Sequence, residues 1–178
     1  MKKLILDDLN RLSVEEFKKA EKFPLVVILD NIRSMNNVGS FFRTCDAFRI
    51  EKLYLCGYTP CPPHREIARS ALGAEQSVEW EHAENTSQLA GRLKQEGYRV
   101  VAIEQAEGSL ALDTFTWDGA TRLAIVFGNE VNGVDEEVMK VADGCIEITQ
   151  YGTKHSLNVA VTGGIVIWKL TNAYLTKR

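Results

Sequence analysis

Five short apolar runs set the frame within which this chain can fold. They are 25–29 (LVVIL), 52–56 (KLYLC), 98–103 (YRVVAI), 123–127 (LAIVF) and 145–148 (CIEI), and helical patterns separate them. Apolar runs this short suit strands, and those without polar alternation suit strands covered on both faces. Strand and helix in turn predict an α/β fold with a mostly parallel sheet and helices on both faces. Ser13 and Glu16 form a capping-box pattern that starts a short helix. Further helices are predicted from Asn36 or Asn37 as N-cap, over 65–72, over 88–96 before Gly97, over 135–141, and over 156–175 with Ser156 as N-cap. The last is apolar enough to be buried on most sides. The TPCPP stretch (59–63) cannot be regular, because three prolines remove donors and fix φ. Residues 104–119 read as irregular, anchored by Leu110, Leu112, Phe115 and Trp117.

A chain of 178 residues is expected to form one domain. The expected division is a short N-terminal helical extension (1–24) and a single domain (25–178). The net charge of −3 argues against a chain that is basic all over, but leaves room for a local basic patch. Four cysteines without Cys-x-x-Cys spacing, an N-terminus too short in apolar residues for a signal peptide, and no apolar run long enough for a bilayer predict a reduced, cytoplasmic protein that does not enter membranes. Cys56, Cys61 and His64 lack an evident fourth ligand, so no metal site is predicted.

Three polar loops follow strands, where parallel sheets place their ligands. In the first, 30–43, Arg43 stands among Gly39, Ser40 and Ala47. Two readings stay open: a surface pair with Asp46, worth tenths of a kcal/mol, or a guanidinium fork offered to phosphate or hydroxyl oxygen where small residues permit close approach. The second loop, FGNEVNGV (127–134), has the G-x-x-x-x-G spacing, but Val134 and Asp135 replace the Lys and Ser/Thr of a phosphate loop. It reduces to a glycine-bounded turn carrying Asn129 and Glu130. The third, TQYGTKHSLN (149–158), runs into the apolar C-terminal helix, where Asn158 needs hydrogen-bond partners if buried.

Taken in order, these segments resemble the SpoU/TrmH branch of the SPOUT RNA methyltransferases. Its first motif is matched by Asn37-Val38-Gly39 with Arg43-Thr44, its second by 125–130 (IVFGNE), and its third by 146–148 followed by Ser156-Leu157-Asn158. His64 to Glu75 also resembles the family's segment between motifs. The resemblance implies a C-terminal trefoil knot, a homodimer whose sites are completed by the other subunit, and methyl transfer from S-adenosylmethionine to a ribose 2′-hydroxyl of tRNA or rRNA. It implies cofactor contacts at Gly128, Ile148, Ser156 and Leu157, and by position in the sheet at Ile103 and Glu104. Arg43 becomes the catalytic candidate, with Asn37, Glu130, Ser156 and Asn158 holding its guanidinium and the hydroxyl in register. An arginine with a pKa above about 12 is a poor base, so orienting phosphate and stabilising a forming alkoxide is the role expected of it. Arg33, Arg65, Arg69, Lys154 and His155 form a candidate phosphate-binding rim. A catalytically silent, dimeric RNA- or cofactor-binding member is the alternative.

Overall fold

The computed structural model describes residue 1 and residues 3–175. Residue 2 of the expected extension and residues 176–178 of the expected domain lie outside the described residues. In chain order the elements are α1 (Val14–Lys19), β1 (Phe23–Asp30), α2 (Met35–Ala47), β2 (Ile50–Cys56), α3 (Arg65–Ala71), α4 (Ala74–Ser77), β3 (Trp80–Ala83), α5 (Thr86–Gln95), β4 (Tyr98–Ile103), β5 (Leu110–Ala111), β6 (Arg122–Phe127), α6 (Glu136–Val141), β7 (Gly144–Glu147) and α7 (Val159–Leu175). The strands form one sheet in the order β3-β2-β1-β6-β4-β7-β5. Every pairing is parallel, as the apolar runs predicted.

The side chains of the central strands divide by strict alternation. Leu25, Val27, Leu29, Leu123, Ile125, Phe127, Val101 and Ile103 face one core, shared with α1, α2 and α7. Val26, Ile28, Ala124, Val126, Val100 and Ala102 face the other, covered by α5 and α6. All of these are at most 8% exposed, which accounts for the lack of polar alternation in the sequence.

Several boundaries differ from expectation. Ser34, not Asn36 or Asn37, caps α2, its hydroxyl accepting from Asn37 N–H at 3.3 Å. α7 starts at Val159, not Ser156: Oδ1 of the Asn158 side chain accepts from the N–H groups of Ala160 (3.0 Å) and Val161 (3.3 Å) and so takes the capping role. This helix is not buried on most sides, since Val161, Ile165 and Trp168 are 52%, 38% and 55% exposed along one face. Leu110 is exposed in the two-residue strand β5, leaving Leu112, Phe115 and Trp117 as the buried anchors of that segment. The short elements α4 and β3 were not predicted.

Gly39 on the small face of α2 serves packing. A Cβ on Gly39 would stand 2.4 Å from the Ile67 carbonyl oxygen and 2.0 Å from Ser70 Oγ, so α3 is what comes close. Gly163 of α7 works likewise, a Cβ there meeting the Phe41 ring at 2.3 Å, while Phe41 packs on Phe127 with ring centroids 5.0 Å apart. Gly39→Val is therefore expected to overpack the α2–α3 contact and destabilise the protein by about 1–3 kcal/mol. Urea denaturation would show this as a lower midpoint with an unchanged slope; an unchanged midpoint would contradict the close approach.

Candidate active site

The site is assembled from loops at the C-terminal ends of β1, β4, β6 and β7. At its centre the Glu130 carboxylate accepts from the backbone N–H of Arg33 (2.9 Å), the backbone N–H of Ser34 (3.0 Å) and Nδ2 of Asn37 (2.9 Å). A negative group is favoured here by the unpaired N–H groups at the start of α2. Asn37 Oδ1 in turn accepts from Nδ2 of Asn158 (3.2 Å), the residue that caps α7. One chain of hydrogen bonds thus joins the β6 loop to the starts of two helices. Burial alone would raise the Glu130 pKa, but the donors at Arg33, Ser34 and Asn37 outweigh it and hold the carboxyl below its ordinary value.

The rest of the β6 loop is fixed from both sides. Asn129 and Gly133 exchange backbone hydrogen bonds at 2.9 Å each. Asn129 is buried, and its Oδ1 accepts from Val131 N–H (2.9 Å) and Asn132 N–H (3.0 Å). Its Nδ2 donates to the Asn31 carbonyl (2.7 Å) and to the Tyr58 hydroxyl (2.9 Å). A Cβ on Gly128 would stand 2.1 Å from the Gly133 carbonyl carbon, so this turn closes only around glycine. Glu104 supports the turn from behind, accepting from Val134 N–H at 3.0 Å and from Gln105 N–H at 2.8 Å.

These loops enclose a cavity of about 510 Å³, within the range of small-molecule sites. It opens where strand order and chain order diverge around β6 and β4, a switch point of the sheet. All six expected cofactor residues line it: Ile103, Glu104, Gly128, Ile148, Ser156 and Leu157. Phe127 and Ile146 add apolar wall, and Glu130, His155 and Asn158 lie along the same lining. Apolar side chains with converging peptide groups suit a flat heteroaromatic ligand with polar edges. Gln105 escaped the sequence reading; its Nε2 donates to the His155 carbonyl (2.8 Å) and ties the third loop to β4. Its place directly after a strand was the available signal.

Arg43 is not brought to this cluster. It is exposed, lies outside the cavity lining, and has no hydrogen-bond or ion-pair partner among the described residues. The pair with Asp46 does not form; Asp46 instead accepts from Ser77 Oγ at 2.5 Å. Within this chain Glu130 and Asn37 bond to the α2 backbone, to each other and to Asn158, and not to Arg43. Ser156 is exposed and lines the cavity without acting as a cap. The five rim candidates are all exposed: Arg33 at the α2 entry, Arg65 and Arg69 on α3, and Lys154 and His155 in the third loop.

Cys56 is buried and burial pushes its thiol up to about 12. Cys61 donates to the Thr59 carbonyl (3.5 Å), and His64 Nδ1 accepts from Glu66 N–H (3.2 Å) to cap α3. Among the described residues no group of three or more His, Cys, Asp or Glu side chains could hold a metal ion, and no helix is long and apolar enough to cross a membrane.

A sequence profile of the SpoU rRNA Methylase family matches residues 24–168. A tRNA (guanosine(18)-2'-O)-methyltransferase of Aquifex aeolicus is 30% identical over 175 residues, covering 95% of this chain and 78% of that protein. The Mus musculus tRNA (guanosine(18)-2'-O)-methyltransferase TARBP1 is 32% identical over 154 residues, 85% of this chain, which spans only 10% of that protein. The crystal structure of an AdoMet-bound rRNA methyltransferase from Sinorhizobium meliloti matches with a TM-score of 0.77 at 28% identity, covering 86% of this chain and 58% of that one.

The Glu130 clamp has a pH signature. A carboxyl whose folded pKa lies below its ordinary value of 4.5 contributes stability that is fully present above the unfolded value. That contribution is lost as pH falls through the lower folded value. Glu130→Gln is therefore expected to be less stable than the wild type near neutral pH, with the gap closing as pH drops below about 4. Urea midpoints measured across a pH series would show this; a gap that does not vary with pH would contradict an ionised clamp.

Proposed function

The chain belongs to the SpoU rRNA Methylase family, and we propose that it transfers a methyl group from S-adenosylmethionine to a ribose 2′-hydroxyl of a transfer or ribosomal RNA. The observation that carries this reading is the coincidence of three motif segments around one cavity, with Glu130, Asn37 and Asn158 in a single hydrogen-bonded chain at its edge. The names of the relatives, tRNA guanosine 2′-O-methyltransferases among them, support it. A cytoplasmic location fits RNA substrates and four free cysteines.

S-adenosylmethionine supplies an electrophilic sulfonium methyl when bound. The apolar walls from Ile103, Phe127, Ile146, Ile148 and Leu157 would take its adenine, with peptide groups near Gly128 and Leu157 reading the ring edge. Asn37, Asn158 and Ser156 offer amide and hydroxyl groups that orient the RNA ribose. Alignment of nucleophile and methyl can account for as much as about 7–11 kcal/mol of barrier lowering. Arg43 acts as a cation that binds the target phosphate and stabilises charge forming on the ribose oxygen, while the proton leaves to phosphate or water.

The position of Arg43 outside its own chain's cavity favours a composite site. α7 turns Val161, Ile165 and Trp168 to solvent at i, i+4 and i+7, an apolar stripe that a second copy of the chain would bury. The half-buried Gly164 leaves open space beside that stripe for close approach. We assign this face, beside α2, to a homodimer in which Arg43 of one copy serves the cavity of the other. The family's trefoil knot would hold the second and third loops together around the cofactor. Residues 25–178 form the methyltransferase domain in this reading, and 1–24 are its extension.

Two variants test it. Arg43→Ala is expected to lower methyl transfer to RNA by about a hundredfold or more, with cofactor affinity by titration calorimetry nearly unchanged. Retained turnover would remove Arg43 from the mechanism, and cofactor binding without any turnover in the wild type would favour the silent, RNA-binding reading. Trp168→Glu should convert a dimer to a monomer in sedimentation and abolish turnover; a variant that stays dimeric would place the interface elsewhere.

A further inference from the structure

The loop after β2 takes no part in the cavity lining, yet it is fastened with unusual thoroughness. Thr59 is buried, and its hydroxyl donates to the Leu29 carbonyl (3.1 Å) and accepts from Ile32 N–H (3.0 Å). Gly57 and Asn31 both adopt left-handed backbone, with φ of 60° and 55°. Asn31 Oδ1 fills the space where a Gly57 Cβ would stand, 2.0 Å away, and accepts from Tyr58 N–H at 3.2 Å. At the other end of the residue the Tyr58 hydroxyl accepts from Nδ2 of Asn129, the cavity-lining residue that precedes Glu130.

The outcome is a tyrosine that is 60% exposed as a residue but tethered at backbone and tip. A phenol needed only to satisfy the second amide hydrogen of Asn129 would have no reason to leave its ring open to water. A ring already held in one orientation loses little further freedom when a flat ligand stacks on it. Arg33, exposed and two residues from the Asn31 that holds the Tyr58 N–H, supplies positive charge in the adjoining loop. An aromatic face beside a cation is the pairing that recognises unstacked bases of single-stranded nucleic acid.

We propose that Tyr58 is a stacking platform for a nucleobase of single-stranded RNA flanking the ribose to be methylated; this rests on the RNA-modifying reading above. The bond to Asn129 orients the ring, and the ring carries the affinity.

Fluorescence titrations with unfractionated transfer and ribosomal RNA test the platform, using the wild type, Tyr58→Phe and Tyr58→Leu. Cofactor titration of each variant checks that the cavity is intact. Tyr58→Phe keeps the ring and is expected within about twofold of wild type, whereas Tyr58→Leu should bind RNA about tenfold or more weakly. The slope of log affinity against log salt should be the same for all three, because stacking releases no counterions. Equal loss in Phe and Leu variants would show that the hydroxyl matters and the ring does not, overturning the platform; so would no loss in either. Wild-type protein that binds neither RNA overturns the reading beneath the platform and the platform with it.

Discussion

The Glu130 carboxylate is the constraint on which the rest of the site depends. It joins a loop after β6 to the first residues of α2, nearly a hundred positions earlier in the chain. Three donors converge on it, and through Asn37 and Asn158 the same network sets where α7 begins. Behind it, the buried Asp30 at the end of β1 does comparable work. Its carboxylate accepts from Thr86 Oγ1 (2.6 Å), Asn31 Nδ2 (3.1 Å) and Asp135 N–H (2.9 Å), which ties the starts of α5 and α6 to the central strand. Both acids meet helix starts where N–H groups lack partners of their own. Neither relies on a lysine or arginine side chain, so these acids leave the positive charge of the region unneutralised.

Glycine supplies the complementary half of the design. Gly128 lets the β6 turn close on itself, and Gly133 leaves room for Glu104 to brace it. Gly39 and Gly163 let α3 and the Phe41 ring reach contact distances that a side chain would forbid. The carboxylates fix where the loops sit, and the glycines let the backbone come near enough for those bonds to form.

The central sheet was legible because its strands are buried on both faces and therefore read as unbroken apolar runs. β3 was not, because it is a half-exposed edge strand in which Glu81 pairs with Lys52 and Arg92, so its pattern resembles surface. The start of α7 was misplaced because Ser156 and Asn158 are both good caps in isolation; the tie to Asn37, 121 residues away, is a fact of the tertiary structure. The same holds for Leu110, whose apolar side chain gives no local sign that it faces water. For the cavity, position at strand ends sufficed to find Ile103 and Glu104, and the family resemblance located the remainder. Gln105, Asn129 and Tyr58 make their defining contacts with residues 50, 98 and 71 positions away, and no local pattern marks such partners. Of the two readings open for Arg43, the surface pair with Asp46 is not the one the fold adopts, and Asp46 instead accepts from Ser77 on another helix, again a partner remote in sequence.

The hydrogen bonds around Glu130 predict a site that is built before any ligand arrives. Hydrogen exchange at the Arg33 and Ser34 amides measures this most directly, because both donate to Glu130 although Arg33 is exposed and Ser34 only half-buried. Exchange in the ligand-free protein should be slow and close to that of the amides of β1. Exchange at the pace of an open loop, with protection gained only when cofactor or RNA is added, would contradict a preformed site.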